Sequence, residues 1–284
     1  MTRIAIRAPD HLGDAVMALG AVQALAAIGE VTVYSRGPWR SDLFANVTTL
    51  PGDDVPAEAD VAVILKPSWG AAWRWRHLPT VGVGPRGRYG RTLEECGEHR
   101  RDRYSRIAQA AGAVDVGEPT YVPRGTAPEL PGRFVAINPW SPSGTVRWGG
   151  FSALAASLAP VPVVAFCGPG EASEVRAMLG SAVHVVCGLS LPDFASALRG
   201  CVAFVSNDSG AAHFASACGV SVVMIHGSTA PETTGVGTPV ERPSRLWCQP
   251  CYRKFCLWGT PCLSIDVESV RVCVAQTLRS LHFP

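Results

Sequence analysis

The sequence predicts an α/β protein made of two Rossmann-like halves, each built on a parallel sheet. Three observations carry that expectation. The 284 residues exceed one compact domain and suit two of about 100–150 residues each. Short apolar runs alternate with stretches of helical apolar spacing, the rhythm of parallel strands joined by right-handed crossovers. That rhythm stops at EPTYVPRGTAPELPGR (118–133), which holds four prolines and little periodicity, and then begins again. The expected domains are residues 1–124 and 125–284.

Each element follows in order. RIAIR (3–7) is a β run, APDHLG a turn, and DAVMALGAVQALAAI (14–28) a helix that Gly29 can cap. VTVYS (31–35), DVAVIL (60–65) and TVGVG (80–84) are further buried strands. EECGEHRRDRYSRIAQAAG (94–112) reads as a helix with one strongly basic face. In the second half FVAIN (134–138), VPVVAFCG (161–168), VHVVCG (183–188), CVAFVS (201–206) and VSVVMIHG (220–227) are strands. Helices are expected near 150–158, 171–179, 192–199 and 210–218, and SIDVESVRVCVAQTLRSL (264–281) closes the chain as a helix.

With 47% hydrophobic and 17% charged residues the chain can bury a sizeable core, and a net charge of +2 gives no ground for nucleic-acid binding. Of 25 basic residues only Lys66 and Lys254 are lysines. Arginine suits bidentate recognition of carboxylate or phosphate, although genome base composition produces the same bias. MTRIAIRAPD reads as a strand rather than a charged leader, and no 18-residue apolar stretch is evident. The expectation is a cytoplasmic protein whose ten cysteines are thiols or metal ligands rather than disulfides.

Five features bear on chemistry. GVGPRG (82–87) has the spacing of a dinucleotide fingerprint, but a proline interrupts it and no acid follows at the end of a next strand. It reads as a decoy, and no P-loop sequence is present. In PDHLGDAV, Asp14 opens a helix. It is either a first-turn carboxylate or a general base at the carboxyl edge of the sheet, with Asp10 and His11 as lesser candidates. In NDSGAAH, Asp208 or Ser209 opens a second helix whose free N–H groups favour an anion, and His213 shares a face with Ser209. There Ser209, Gly210 and His213 can hold a diphosphate. HGSTAP (226–231) ends the next strand at the same edge, which favours a binding site over a merely capped helix. Finally, nine arginines lie between Arg74 and Arg106, interleaved with Trp75 and Tyr89; they form either a solvated face or a surface for an anionic acceptor, with Arg88 and Arg91 as candidates. CQPCYRKFCLWGTPC places Cys248, Cys251, Cys256 and Cys262 in one segment. A structural zinc or iron site, a reduced cysteine-rich loop and a redox pair all remain open there.

These stretches resemble glycosyltransferase family nine, the ADP-heptose-dependent heptosyltransferases of lipopolysaccharide core synthesis. HLGDAVMALGAVQAL is similar to the family's N-terminal turn and helix, and WSPSGTVRWGGFSAL to the start of its second domain. VSNDSGAAHFASACGVSVVMIHGSTAP is similar to its nucleotide-sugar signature, and CQPCYRKFCLWGTPCLSIDVESV to a cysteine-rich tail of one branch. The resemblance implies a GT-B fold with two facing Rossmann-like domains, the acceptor on the first and the donor on the second across a cleft. It implies inverting transfer from ADP-heptose with no cofactor required for catalysis. Asp14 would be the base, Asp208, Ser209, Gly210 and His213 would hold the donor, and anionic glycan or small-molecule acceptors and peripheral contact with the inner membrane surface are the implied partners. The family's phosphate-binding lysine falls on Val146, so Arg147, Ser143 or Thr145 would substitute, and its ribose-binding acid falls near Gly168, so Glu171 or Glu174 would serve.

Overall fold

The computed structural model describes residues 1–242 and 244–280. The chain divides into two compact units, Met1–Thr120 and Tyr121–Pro284. The division falls four residues before the expected 124/125 boundary because the Tyr121 N–H donates to Ala217 O (2.7 Å) and its ring packs on Phe214, both in the second unit.

The first unit runs β1 (Thr2–Arg7), α1 (Leu12–Met17), α2 (Leu19–Ala26), β2 (Gly29–Ser35), α3 (Arg40–Leu43), β3 (Thr48–Pro51), β4 (Val61–Ile64), α4 (Trp69–Arg74), β5 (Thr80–Val83), β6 (Arg91–Leu93) and α5 (Arg100–Ala110). Its six strands are ordered β3-β2-β1-β4-β5-β6, and every pair is parallel. Ile4, Ile6, Val33, Val63 and Ile64 are buried strand residues, with Leu25 and Ile107 fully buried on α2 and α5. The helix expected over 14–28 is two helices meeting at Ala18, whose ψ of −8° interrupts regular helix. The expected 94–112 helix begins only at Arg100. Gly97 lies at φ +66°, a left-handed conformation no α-helix contains, and the His99 imidazole then accepts from the Arg101 N–H as the cap.

The second unit runs β7 (Phe134–Asn138), α6 (Phe151–Ser157), β8 (Val163–Cys167), α7 (Ala172–Leu179), β9 (His184–Cys187), α8 (Leu191–Ala197), β10 (Cys201–Asn207), α9 (Gly210–Ala217), β11 (Val222–Ile225), α10 (Pro231–Thr234), β12 (Thr238–Val240) and α11 (Val267–Ser280). Leu281, the last residue of the expected tail helix, lies outside the described residues. Strand order is β12-β11-β10-β7-β8-β9, again wholly parallel. Val135, Ile137, Ala203, Val205, Val223 and Ile225 pack with Trp148, Phe151, Leu154, Val270 and Val274 in one core. The expectation that all cysteines are thiols or metal ligands is corrected at one pair. Cys167 and Cys187 face each other in the β8–β9 register, with Cα atoms 4.8 Å apart, and are joined by a disulfide. Among the described residues no helix is long and apolar enough to cross a membrane.

Both sheets reverse their winding direction at one place, between β1 and β4 and between β7 and β10. In open parallel sheets the loops at the carboxyl ends of such neighbouring strands diverge and leave a crevice for ligands.

Candidate functional site

In the second unit the crevice loops are those after β7 and β10. Asn207 ends β10 fully buried and ties the two loops together, since its amide donates to Pro139 O (2.9 Å) and its carbonyl oxygen accepts from the Trp148 N–H (2.9 Å). Ser209 caps α9: its Oγ accepts from Ala212 N–H (3.4 Å) and lies 2.8 Å from Ser206 Oγ. Gly210 is the first residue of α9, so the unpaired amides of that first turn face the crevice edge without a side chain at the leading position.

Asp208 lies between cap and strand, its side chain 12% exposed. Thr234 Oγ donates to Asp208 Oδ2 (3.1 Å), His213 Nε2 is 3.8 Å from Oδ1, and His226 Nδ1 is 4.0 Å from Oδ2. Burial pushes the Asp208 carboxyl up, but hydrogen bonding and charge from His213 and His226 outweigh it and hold the acid below the usual carboxylate range. Asp208 is thus an ionised acceptor inside a polar ring. His226 is buried completely, and burial holds its imidazole below the ordinary histidine value despite the nearby Asp208 carboxylate. Its Nδ1 is 3.4 Å from Thr229 Oγ and its Nε2 has no partner among the described residues. Sequence reasoning noted the HGSTAP loop but singled out neither His226 nor Thr234. A histidine ending an otherwise apolar strand was the signal available.

The loop after β7 serves this site from below. Thr145 is buried, and its Oγ donates to Arg253 O and accepts from Ser228 Oγ (3.2 Å), while Ser143 Oγ is 2.9 Å from it. A Cβ on Gly227 would come within 2.7 Å of Thr145 O, so the HGSTAP strand end runs directly against this loop. Val146 is 9% exposed and faces the core. Arg147 turns back onto its own loop, donating from Nε to Ser141 O (3.0 Å), stacking on Trp140 and reaching Glu174 at 3.5 Å. Glu171 precedes α7 and accepts the Gly168 N–H (2.6 Å); burial above all raises its carboxyl. Glu174 accepts from Trp140 Nε1 (2.9 Å).

In the first unit, Asp10 follows β1 and Lys66 follows β4, so the same crevice position is occupied by an ion cluster. Asp10 accepts from Lys66, from Arg7 (Nη2, 3.1 Å) and from the Arg36 N–H (3.1 Å). Burial raises its carboxyl, but those donors overcome the effect and hold it well below the usual range. Asp14 sits in the first turn of α1, 20% exposed, with Arg100 Nη1 at 2.6 Å from Oδ1 and no donor on Oδ2 among the described hydrogen bonds. His11 is exposed and its imidazole makes no capping bond.

The basic run is largely neutralised, which corrects the expected cationic face. Arg74 pairs with Asp53, Arg86 with Glu94, Arg101 with Glu118, Arg103 with Glu95 and Arg106 with Glu98. Arg91 caps α5 by donating to Ala110 O (2.6 Å). Arg88 lies over the exposed Trp69 ring (4.3 Å) with a buried, unpartnered Nε and no carboxylate partner among the described residues. GVGPRG joins β5 to β6 rather than to a helix, consistent with its reading as a decoy. Cys248, Cys251 and Cys256 lie near enough to Cys262 to raise its thiol further after burial, yet among the described residues no group of three or more His, Cys, Asp or Glu side chains is arranged to hold a metal ion.

Residues 109–260, more than half of the chain, match the family described as glycosyltransferase family 9 (heptosyltransferase). No curated protein matches the chain. Among solved structures, E. coli ADP-heptose LPS heptosyltransferase II is 17% identical with a TM-score of 0.75 over 99% of both chains. A glycosyl transferase family 9 protein from Veillonella parvula DSM 2008 is 18% identical with a TM-score of 0.77 over 98% of both. E. coli heptosyltransferase WaaC, solved with ADP, is 17% identical with a TM-score of 0.73 over 97% of this chain and 99% of that one. The shared architecture is GT-B, with two Rossmann-like domains. A glycosyltransferase signature over half the chain, lying on that architecture, places the protein in glycosyltransferase family 9, the heptosyltransferase family.

Proposed function

We propose that this glycosyltransferase transfers a heptose from ADP-heptose to a hydroxyl of an anionic acceptor sugar of lipopolysaccharide core, with inversion, in the cytoplasm. The observation that carries the reading is the ionised Asp208 ringed by His213, His226 and Thr234 beside the amides that open α9. A carboxylate in that ring accepts hydrogen bonds from sugar hydroxyls, while Ser209, the Gly210 N–H and His213 receive the diphosphate. Asp14 Oδ2 takes the proton of the acceptor hydroxyl as its oxygen bonds to the anomeric carbon. The bond from that carbon to the β-phosphate oxygen breaks, and ADP leaves with the electron pair. The α9 amides stabilise the charge that develops on the leaving phosphate. Arg88, stacked on Trp69 and unpaired with any described carboxylate, is the acceptor-side cation. The similarity to E. coli WaaC, solved with ADP, and to E. coli ADP-heptose LPS heptosyltransferase II supports the donor.

A second reading is a protein that binds a nucleotide sugar without turning it over. The buried Val146 and the self-engaged Arg147 favour it, because they leave the diphosphate without the family's lysine. Incubating the purified chain with ADP-heptose and candidate acceptors and following ADP release tests both. Acceptor-dependent ADP release supports transfer; donor binding with no release under any acceptor supports the second reading; no binding of ADP-heptose sinks both.

A further inference from the structure

The segment Trp247–Trp258 contains none of the residues assigned to the proposed transfer chemistry, and it concentrates exposed apolar side chains. Its sequence, WCQPCYRKFCLW, contains no acid and places Arg253 and Lys254 side by side. Five large side chains within it stand in water: Trp247 is 92% exposed, Phe255 73%, Leu257 83%, Trp258 76% and Tyr252 46%. Single exposed apolar residues are ordinary, but five in one short segment are the mark of a surface that meets a partner. Arg253 and Lys254 are both exposed, and neither forms an ion pair among the described residues.

The backbone of the segment is held firmly. The Cys251 and Tyr252 N–H groups donate to Ser228 O (3.1 and 3.0 Å), and Gln249 Nε2 donates to Gly227 O (2.7 Å). The carbonyls of Arg253 and Lys254 accept from Thr145 and Ser143. The chain therefore satisfies these peptide groups within its own domain and directs the rings and Leu257 outward. A cavity of about 430 Å³, walled by Trp247, Cys248, Cys251, Phe255, Cys256 and Trp258, opens among them.

We propose that Trp247–Trp258 is a docking loop for an anionic phospholipid bilayer. Tryptophan and tyrosine rings are favoured at the boundary between headgroups and acyl chains, where one end is apolar and the other wet. Apolar area gives the insertion and adjacent cations give the preference for anionic lipid, the combination seen in interfacial anchors. The absence of any acid within the segment removes repulsion from lipid phosphates. The inference does not depend on the sugar, the acceptor or on Asp14, so it stands or falls apart from the proposed reaction.

Flotation of the full chain with vesicles tests it. The wild type is expected to float with mixed phosphatidylglycerol–phosphatidylcholine vesicles and to partition about thirty-fold less onto phosphatidylcholine alone, each cation near an anionic surface contributing about fivefold. Arg253→Gln with Lys254→Gln is expected to remove that preference, and Trp247→Ser with Phe255→Ser and Trp258→Ser to weaken flotation at least about tenfold through lost apolar burial. Thermal melts identify any variant that fails to fold. For the unaltered protein, tryptophan emission is expected to shift to the blue on adding anionic vesicles. Wild type that stays in the aqueous fraction, equal flotation on both vesicle types, or a folded triple variant that floats like wild type overturns the proposal. So does an oligomer that forms without lipid, is dissolved by the triple substitution and does not float, because the surface then belongs to a second copy of the chain.

Discussion

Asp14→Asn separates the proposed base from its structural role. The carboxylate is 20% exposed and Arg100, its partner at 2.6 Å, is 36% exposed, so solvent screens the pair strongly. Such a pair is worth about 0.2–1 kcal/mol, and asparagine retains an oxygen for Arg100, so the melting temperature is expected to fall by no more than about 3 °C. The chemical step is another matter. A positioned general base contributes about 10²–10⁴-fold, or roughly 3–5 kcal/mol of barrier, and the amide cannot take the proton. Steady-state ADP release is therefore expected to drop by at least about 100-fold in kcat. The donor KM should stay near wild type, since the proposed donor contacts are all in the second unit. Asp10→Asn provides the contrast: it leaves the buried Arg7 and the half-buried Lys66 without their carboxylate, a loss of about 3–5 kcal/mol that appears first in the melt. Turnover of Asp14→Asn within about threefold of wild type, in a protein that melts normally, would falsify the assignment of Asp14 as base.

The remaining predictions concern the donor side. His226 is buried with its folded pKa below the ordinary 6.5, so the unfolded chain binds a proton that the folded chain resists. Its neutral form stabilises the fold above pH 6.5, and that stability is lost as pH falls through 6.5 toward the folded value; melts between pH 7.5 and 5 should show the decline, and His226→Phe should flatten it. An unchanged slope in that variant would remove His226 as its source. Val146→Lys places an ammonium in a core position 9% exposed, so it is expected to destabilise by about 1–3 kcal/mol with no gain in donor affinity, whereas tighter ADP binding by titration calorimetry would show that the loop can turn the side chain outward. Trp148→Phe removes the indole N–H that meets Ile265 O at 2.9 Å and leaves that buried carbonyl unpaired, for a loss of about 1–3 kcal/mol in denaturant unfolding; a loss below about 0.5 kcal/mol would show the carbonyl re-paired.

Much of the fold was legible because its strands are buried on both faces. FVAIN matches β7 residue for residue, and CVAFVS falls within β10, since apolar strands between turn residues leave little ambiguity. The strands without that signature went unseen. TTLP, RTL and TPV, which form β3, β6 and β12, are short sheet-flanking strands with half-exposed or polar faces, and nothing in their local pattern separates them from loop. The Cys167–Cys187 bond was invisible for a related reason. The two residues are 20 apart in sequence, and only the β8–β9 register brings them face to face.

Legibility of the candidate site divides along the same line. Asp208, Ser209, Gly210 and His213 lie within one strand–helix turn, so local geometry places them correctly from sequence spacing alone. The members contributed by later segments, His226 and Thr234, required the crossover from β10 to β11 to be known before their distance to Asp208 had meaning. Charge was the least legible property. Nine arginines read as one cationic surface, whereas acids distant in sequence, Asp14 from Arg100 and Glu118 from Arg101 among them, neutralise most of it. What decides a cation's availability is the partner folding delivers to it. By that criterion Arg88, over Trp69 with no carboxylate partner among the described residues, and the exposed Arg253 and Lys254, with no ion pair among the described residues, are among the cations left available to anions outside the chain.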